Sequence, residues 1–196
     1  RDVERSRGLG DVYKRQMDLF LLSSGIGYQN MELNPDIELD TARTNVEGFM
    51  RMADTAFHHF REHGGGQLAV ISSIAGTKGL GVAPAYSATK RFQNTYIDAL
   101  EQLAGMQKLN IRFTDIRPGF VSTDLLNDGK YYPLLMRPEK VAKRIVRALN
   151  HRQRVVVIDW RYAIIVFFWR MIPRRIWKQL PIRTGQKPTE KNSKIG

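Results

Sequence analysis

A tyrosine and a lysine one helical turn apart could perform proton-transfer chemistry in this chain of 196 residues. Tyr86 and Lys90 are four residues apart in a predicted helix that Pro84 opens, so their side chains share one helix face. A tyrosine titrates near pH 10, about three units above neutrality, and a nearby ammonium group favours the phenolate and lowers that pKa. The pair could then give a proton to a carbonyl or take one from an alcohol. Taken alone, this spacing is common and usually structural.

Two polar residues upstream of the pair give it a context. Ser73 follows a predicted strand and precedes Tyr86 by thirteen residues, and Asn45 precedes Ser73 by twenty-eight. Asn45 lies among apolar positions of a predicted helix. A buried Asn there would need hydrogen-bond partners, whereas an exposed one would not, and the sequence alone leaves both readings open.

The elements that would position these residues alternate between short apolar strands and amphipathic helices. Such alternation predicts a parallel sheet covered by helices, with ligands beyond the carboxyl ends of the strands. The segments at those ends are Ser23–Gly27, Ser72–Gly81 and Pro118–Asp124. The predicted strands are Met17–Leu22, Gln67–Ile71, Ile111–Ile116 and Arg154–Ile158, and the predicted helices are Asp40–His63, Pro84–Met106 and Pro138–Asn150.

Four segments together resemble the classical short-chain dehydrogenase/reductase family. They are Asn45, ISSIAG at 71–76, YSATK at 86–90 and RPGFVSTD at 117–124, and their order and spacing are similar to that family's over residues 17–159. The resemblance implies a Rossmann-like three-layer α/β/α domain and a cofactor that is NAD or NADP. It also implies an oxidoreductase that interconverts an alcohol and a ketone or aldehyde by hydride transfer.

The resemblance also implies a role for each matching residue. Tyr86 would be the catalytic acid and base, and Lys90 would bind the nicotinamide ribose and depress the pKa of Tyr86. Ser73, rather than Ser72, would hydrogen-bond the substrate oxygen, and Asn45 would hold a water in a proton relay from Lys90 to solvent. The cofactor-binding positions implied in addition to Tyr86 and Lys90 are Gly25, Pro118, Gly119, Val121 and Thr123.

The chain departs from the family pattern towards its amino terminus. The family usually has Asn-Asn-Ala-Gly where this chain has Leu-Ser-Ser-Gly at 22–25, so only Gly25 is retained. The expected Gly-xxx-Gly-x-Gly turn and roughly eighty preceding residues are missing, which predicts an N-terminally truncated copy. Residues 1–16 are interpreted as a non-native leader. The glycines at 25, 27, 76, 79 and 81 do not have the dinucleotide-binding spacing and are interpreted as turn glycines.

The positive charge of the chain is concentrated at its carboxyl end. The net charge is +12, of which residues 151–196 carry +9, so we expect no nucleic-acid partner. Within Trp160–Ile182, the apolar stretch Ala163–Trp169 is flanked by basic and aromatic residues. This pattern suits an interfacial helix on an anionic membrane, and equally a helix packed on the body or on a dimer partner. Residues 184–196 are predicted to be disordered.

Further expectations concern substrate, assembly and location. The apolar segment Leu125–Met136 occupies the place where similar enzymes close over substrate, which suggests a lipophilic substrate. The resemblance implies a homo-oligomer paired through Arg43–Phe60 and Tyr86–Leu103. The composition suits a cytoplasmic protein, with a membrane surface as an additional location. A strand edge left bare by the truncation would favour self-association.

Several kinds of chemistry receive no support from the sequence. The chain has no cysteine, which excludes disulfides, Cys-ligated metal centres and a Cys nucleophile. His59 and His63 have the spacing of a metal pair but no clear third ligand, so solvated helix-end histidines are the favoured interpretation. The rival to an enzyme is a non-catalytic module that binds a membrane or a protein on the same scaffold.

Overall fold

A computed structural model of the protein describes residues 17–123 and 132–182. The predicted leader at 1–16, Asp124, most of the predicted apolar cover and the tail from 183 onwards lie outside the described residues. The strands are β1 Leu19–Leu22, β2 Gly66–Ile71, β3 Ile111–Arg117 and β4 Val155–Val157. The α-helices are α1 Pro35–Ala42, α2 Phe49–Glu62, α3 Pro84–Met106, α4 Pro138–Asn150, α5 Trp160–Met171 and α6 Arg174–Trp177.

The four strands form one parallel sheet in the order β1-β2-β3-β4. Leu22 of β1 is in register with Val70, and Ile71 of β2 is in register with Ile116. Because the strands are parallel, their carboxyl ends meet at one edge of the sheet, where the loops after β1, β2 and β3 lie together.

Helices cover both faces of this sheet. On one face, α2 contributes Phe49, Ala53, Phe57 and Phe60, which follow helical spacing and pack with residues of α3 against Leu68, Val70 and Phe113. On the other face, residues of α4 and α5 pack against Ala69, Ile116 and Val156. Neighbouring residues of β2 therefore belong to opposite cores. The predicted three-layer α/β arrangement with a parallel sheet is confirmed.

The helical region before β2 differs from the predicted Asp40–His63. Helix begins at Pro35, because the Asn34 side chain accepts a hydrogen bond from the Asp36 amide and Pro35 occupies the first turn. Between α1 and α2 the chain forms a π-helical segment over Arg43–Gly48, and Asn45 lies within it. An extra residue per turn re-aims neighbouring side chains and frees backbone groups, and such segments are frequent at functional sites.

The basic aromatic segment after β4 is folded as α5 and α6. Tyr162 and Val166 of α5 are buried in the core on the α4 face of the sheet. Within residues 17–123 and 132–182, no helix is both long enough and apolar enough to cross a membrane.

Candidate active site

The amino-terminal half of α3 brings Tyr86 and Lys90 to the carboxyl edge of the sheet. The Lys90 ammonium donates a hydrogen bond to the carbonyl of Ile71, the last residue of β2, over 3.2 Å. It also lies 5.8 Å from the centroid of the Tyr86 ring. The side chain of Lys90 is buried, whereas Tyr86 is half-buried. The helix thus places a buried cation beneath a phenol at the strand ends.

Ser73 contacts Tyr86, and the neighbouring Ser72 does not take part in that contact. The Ser73 hydroxyl lies close enough to Tyr86 to lower the pKa of the phenol. The Ser73 hydroxyl also accepts a hydrogen bond from the Ala75 amide at 3.1 Å. Ser72 points into the interior, where its hydroxyl donates to Asp115 over 2.5 Å. The geometry therefore places Ser73, the residue chosen from the sequence, beside the phenol.

Asn45 is fully buried, and all of its side-chain polar atoms have partners. Its Oδ1 accepts from the Ile26 amide at 2.9 Å, and its Nδ2 donates to the Ile26 carbonyl at 2.7 Å and to Thr89 at 3.1 Å. The buried reading of Asn45 is therefore the right one, and its burial is compensated. Its side chain joins the loop after β1 to the turn of α3 that carries Lys90.

Gln93 is a site residue that sequence reasoning missed. Its Oε1 accepts a hydrogen bond from the Lys90 ammonium at 3.1 Å, and its Nε2 donates to the Asn45 carbonyl at 3.0 Å. Gln93 is buried and lies three residues after Lys90, on the same helix face. This spacing from Lys90, on the helix that carries the proton-transfer pair, is the sequence signal that could have identified Gln93.

The ionisation of Tyr86 differs from the sequence expectation. Burial raises the pKa of Tyr86 above its ordinary value, and the hydrogen bond from Ser73 opposes this only in part. Lowering of that pKa by Lys90 is not found, because the Lys90 ammonium is hydrogen-bonded to Ile71 and Gln93 rather than directed at the phenol oxygen. The expected lowering of the Tyr86 pKa by Lys90 was therefore wrong.

The pKa of Lys90 lies closer to neutral pH than that of an ordinary lysine. Burial lowers the pKa of Lys90 to about 8, and the charge of Asp115 acts in the opposite direction. Burial penalises the ammonium form, which is the charged one. Lys90 is therefore still mostly charged at neutral pH, but its protonation state changes in a mildly alkaline range.

Two glycines after β1 lie directly against the site. A Cβ added at Gly25 would be 3.2 Å from the Lys90 Nζ and 3.3 Å from the Asn45 Oδ1. A Cβ added at Gly27 would be only 2.2 Å from the Tyr86 ring, closer than real Cβ atoms approach. The interpretation of Gly27 as a turn glycine missed this contact, which no local sequence pattern reports.

The segment after β3 lies beside Ser73. The Pro118 carbonyl accepts a hydrogen bond from the Ile74 amide at 3.1 Å, and Val121 forms a bridge with Met136. A Cβ added at Gly119 would be 2.3 Å from the Tyr162 ring of α5. Thr123 is exposed, and its hydroxyl donates to the Val121 carbonyl at 3.4 Å. The predicted cofactor-binding segment therefore lies at the same strand edge as Tyr86.

A buried charged network supports the site from below. Asp115 is fully buried and accepts two hydrogen bonds from Arg117, at 2.6 and 2.9 Å. It also accepts from Ser72 at 2.5 Å and from Asn94 at 2.9 Å. A buried carboxylate is stable only with such partners. The network fixes the end of β3 against α3, one turn beyond Lys90.

The remaining candidates from the sequence do not join the site. His59 and His63 stack with ring centroids 4.1 Å apart at the end of α2, and the His63 Nδ1 lies 2.8 Å from the His59 carbonyl. In the described ranges, no three metal-ligating side chains cluster. Gly76 allows close contact with Asn94 and the Lys90 backbone, whereas Gly79 and Gly81 have open space around their Cα atoms.

Comparison with known proteins gives this arrangement a family. The sequence profile described as short chain dehydrogenase matches residues 11–130. The chain is 28% identical over 182 residues to an uncharacterized oxidoreductase of Myxococcus xanthus, covering 91% of this chain and 68% of that protein. It is 24% identical over 189 residues to dehydrogenase/reductase SDR family member 7B of Xenopus laevis, covering 89% of this chain and 58% of that protein. The chain thus spans between about half and two thirds of the length of the curated relatives it matches.

Solved structures show the same fold. A short chain dehydrogenase of Burkholderia cenocepacia in complex with NADP superposes with a TM-score of 0.74 at 14% identity, over 89% of this chain and 73% of that one. A 4-hydroxyisoleucine dehydrogenase complexed with NADH and succinate superposes with a TM-score of 0.62 at 19% identity, over 81% of this chain and 73% of that one. On the profile match over more than half of its residues, the chain belongs to the short chain dehydrogenase family, a family of NAD(P)-dependent oxidoreductases.

Proposed function

We propose that the protein catalyses NAD(P)-dependent interconversion of an alcohol and a ketone or aldehyde. The observation that carries this proposal is the position of Ser73 beside Tyr86 at the carboxyl edge of the sheet, with the Lys90 ammonium 5.8 Å from the centroid of the Tyr86 ring. Two hydroxyl groups and a cation at this place can bind a substrate oxygen, exchange a proton with it and stabilise the resulting charge.

The residues present fit the nicotinamide end of the cofactor. Lys90 uses two of its three N–H donors on Ile71 and Gln93, which leaves one for a ribose hydroxyl. Gly25 keeps the space beside that ammonium free of side-chain atoms, because a Cβ there would approach the Lys90 Nζ to 3.2 Å. Pro118, Gly119, Val121 and Thr123 are the further residues that would hold the cofactor. The chemistry that it supplies when bound is transfer of a hydride to or from the substrate carbon.

The chain's own residues account for the proton and for the polarisation of the substrate. In the reducing direction, the Tyr86 hydroxyl gives its proton to the carbonyl oxygen as the carbon gains a hydride, and in the oxidising direction it takes that proton back. The Ser73 hydroxyl donates a hydrogen bond to the same oxygen and stabilises developing charge on it. Lys90, whose ammonium is directed at Ile71 and Gln93, would serve chiefly to hold the ribose of the cofactor beside Tyr86.

The side chain of Asn45 serves as a positioning group in this proposal. The side chain joins Ile26 to Thr89. The backbone carbonyl of Asn45 accepts a hydrogen bond from Gln93, which in turn accepts one from Lys90. A water bound near this chain of polar groups would reconnect Lys90 with solvent after proton transfer. We further propose a lipophilic substrate, on the apolar character of Leu125–Met136, of which Tyr132 and Met136 are buried.

The test is turnover of a panel of short and long-chain ketones, aldehydes and alcohols with both nicotinamide cofactors. Tyr86→Phe should lower kcat by about 100-fold or more, because the substitution removes the proton donor and leaves the ring. Tyr96→Phe is the matched control, since it makes the same change on the same helix and Tyr96 hydrogen-bonds Asp54 instead.

Cofactor binding is measured in parallel through the fluorescence of reduced nicotinamide. This measurement distinguishes a variant that has lost catalysis from one that no longer binds the cofactor. Binding by both variants with activity lost only in Tyr86→Phe supports the proposal. Equal activity in the two variants would overturn the role of Tyr86. A wild-type protein that neither binds nicotinamide nor turns over any substrate would favour the alternative, a non-catalytic binding module.

A further inference from the structure

Helix α5 is apolar on both sides, although only one side faces the body. Tyr162 and Val166 are buried, whereas five large apolar residues are between 47% and 71% exposed. At about 100° per residue, these five fall within one arc of about 100° on the helix surface. We call them the α5 apolar face, which consists of Trp160, Ile164, Phe167, Phe168 and Met171. A helix packed on the body and a helix that binds a membrane surface were the two interpretations of this segment. They are compatible, because α5 packs on the body and still presents a second apolar surface.

Positive charge borders this face, and most of it has no paired carboxylate in the described part of the chain. Residues 160–182 contain five Lys or Arg and no Asp or Glu. By helical spacing, Arg161 and Arg170 lie on opposite borders of the α5 apolar face. Arg161 is paired with Asp159 at 2.8 Å, whereas Arg170, Arg174 and Arg175 have no carboxylate within ion-pair distance in the described part of the chain.

Further cations surround a groove beside the end of α5. A cavity of about 510 Å³ is lined by residues that include the cations Lys78, Arg91, Arg117 and Arg170 and also the carboxylate of Asp98, which is paired with Arg154. Arg117 is neutralised by Asp115, and Lys78 donates to the Ile172 carbonyl at 2.9 Å. The cationic surface therefore continues from α5 onto the loop after β2 and onto α3.

We propose that the α5 apolar face docks on the surface of an anionic phospholipid bilayer. Aromatic and aliphatic side chains bordered by arginine suit the boundary between headgroups and acyl chains, and each basic residue near an anionic surface adds to the attraction. A second copy of the chain is a poorer occupant, because it would set two sets of unpaired cations against each other. At twelve residues, α5 is far shorter than the roughly twenty residues that cross a bilayer, so it lies along the surface.

The docking surface is held firmly to the body and to the loop after β3. The Tyr162 hydroxyl accepts from the Phe120 amide at 3.2 Å and donates to the Pro133 carbonyl at 2.9 Å. At the far end, the Trp177 indole donates to the Gly79 carbonyl at 2.7 Å. A bilayer bound by α5 would therefore be close to the segment Gly119–Phe120, which Tyr162 contacts from its buried side.

The experiment is vesicle co-sedimentation of the whole chain at physiological salt. Vesicles of phosphatidylcholine alone are compared with vesicles in which phosphatidylserine replaces part of the phosphatidylcholine. We expect binding to the phosphatidylserine vesicles and at least about 10-fold weaker binding to phosphatidylcholine alone. Absence of binding to both kinds of vesicle, or equal binding to both, would overturn the proposal.

Point variants identify the surface without removing buried residues of α5. Phe167→Glu combined with Phe168→Glu should weaken binding to the phosphatidylserine vesicles by at least about 10-fold, since two exposed apolar anchors become anionic. Met106→Glu is the control, because Met106 is also a large exposed apolar residue but lies at the end of α3. Equal loss in both variants, or no loss in the Phe167/Phe168 variant, would contradict the assignment.

A measurement on the unmodified chain guards against misfolding of the variants. Trp160 is 71% exposed, so its fluorescence should shift to the blue when phosphatidylserine vesicles are added. The shift should be much smaller in Trp160→Phe, in which only the half-buried Trp169 and Trp177 remain. An unchanged emission spectrum of the wild type with vesicles present would count against docking through this face.

Discussion

The Lys90 ammonium and the Gln93 side-chain carbonyl are 3.1 Å apart, and the Gln93 amide passes the connection on to the Asn45 carbonyl. This link joins α3 to the π-helical segment before α2. We predict that Gln93→Leu lowers kcat by about 10-fold, because Lys90 loses one of the two acceptors that fix its position. Gln102→Leu on an exposed turn of the same helix is the control.

The pH profile separates positioning by Gln93 from a general loss of structure. Gln93→Glu places a carboxylate beside Lys90, which favours the ammonium form and should move the alkaline limb of the kcat profile to higher pH. An alkaline limb that stays in place in Gln93→Glu would indicate that Gln93 does not act through Lys90.

Burial of Lys90 should make the folded protein more stable as the pH rises above 8. The pKa of Lys90 is about 8 in the folded protein and 10.5 for an ordinary lysine, so between these values the unfolded chain binds more protons. The free energy of unfolding should therefore rise with pH through this window, by at most about 3 kcal/mol from this group. Urea unfolding at several pH values measures it. Lys90→Met should lack the rise, and the exposed Lys143→Met should retain it.

Gly27 should be sensitive to the smallest possible substitution. In Gly27→Ala, the new Cβ would lie 2.2 Å from the Tyr86 ring, so the ring must move away from its place beside Ser73. We expect kcat to fall by up to about 100-fold, since displacement of a reacting group by about 1 Å has effects of that size. Gly79→Ala is the control, because a Cβ there meets nothing within 4 Å. Similar kinetics in both alanine variants would show that the contact tolerates a side chain.

The pair formed by Asp115 and Arg117 should dominate the stability of the sheet end. Asp115→Asn leaves the buried Arg117 without a counter-charge, which should lower the free energy of unfolding by about 3–5 kcal/mol. Asp98→Asn removes an exposed partner of Arg154 and should cost less than about 1 kcal/mol. Chemical denaturation of the two variants provides the comparison, and equal losses would argue against a special role of the buried pair.

Self-association is expected through the apolar surface shared by α2 and α3. Met52 and Leu103 are exposed there, and Leu103 follows the half-buried Phe92 and Tyr96 on one stripe of α3. Light scattering coupled to size exclusion should show a dimer or a larger species. Met52→Glu with Leu103→Glu should shift it towards the monomer, whereas Val146→Glu on α4 should not. If pairing through β1, the edge strand of the described sheet, causes the association instead, the double variant will leave the mass unchanged.

The sequence by itself determined the class of fold and the residues of the proton-transfer pair. Alternating apolar strands and amphipathic helices predict a parallel sheet covered on both faces, because that arrangement buries both kinds of element. Tyr86 and Lys90 are neighbours by local helical spacing alone. Ser73 is the second residue after β2 and Pro118 the first after β3, so parallel pairing was enough to bring them to one edge.

Only the tertiary structure decided the contacts that connect distant segments. Gly27 and the Tyr86 ring are 59 positions apart, and Gln93 and the Asn45 carbonyl are 48 apart, so no local pattern encodes either contact. The pKa of Tyr86 followed burial rather than the nearby lysine, because desolvation and the direction of the Lys90 ammonium are set by packing. The same holds for α5, whose composition suited both burial and exposure. Its docking against β4 and the loop after β3 decided which apolar side chains face the core and which face outwards.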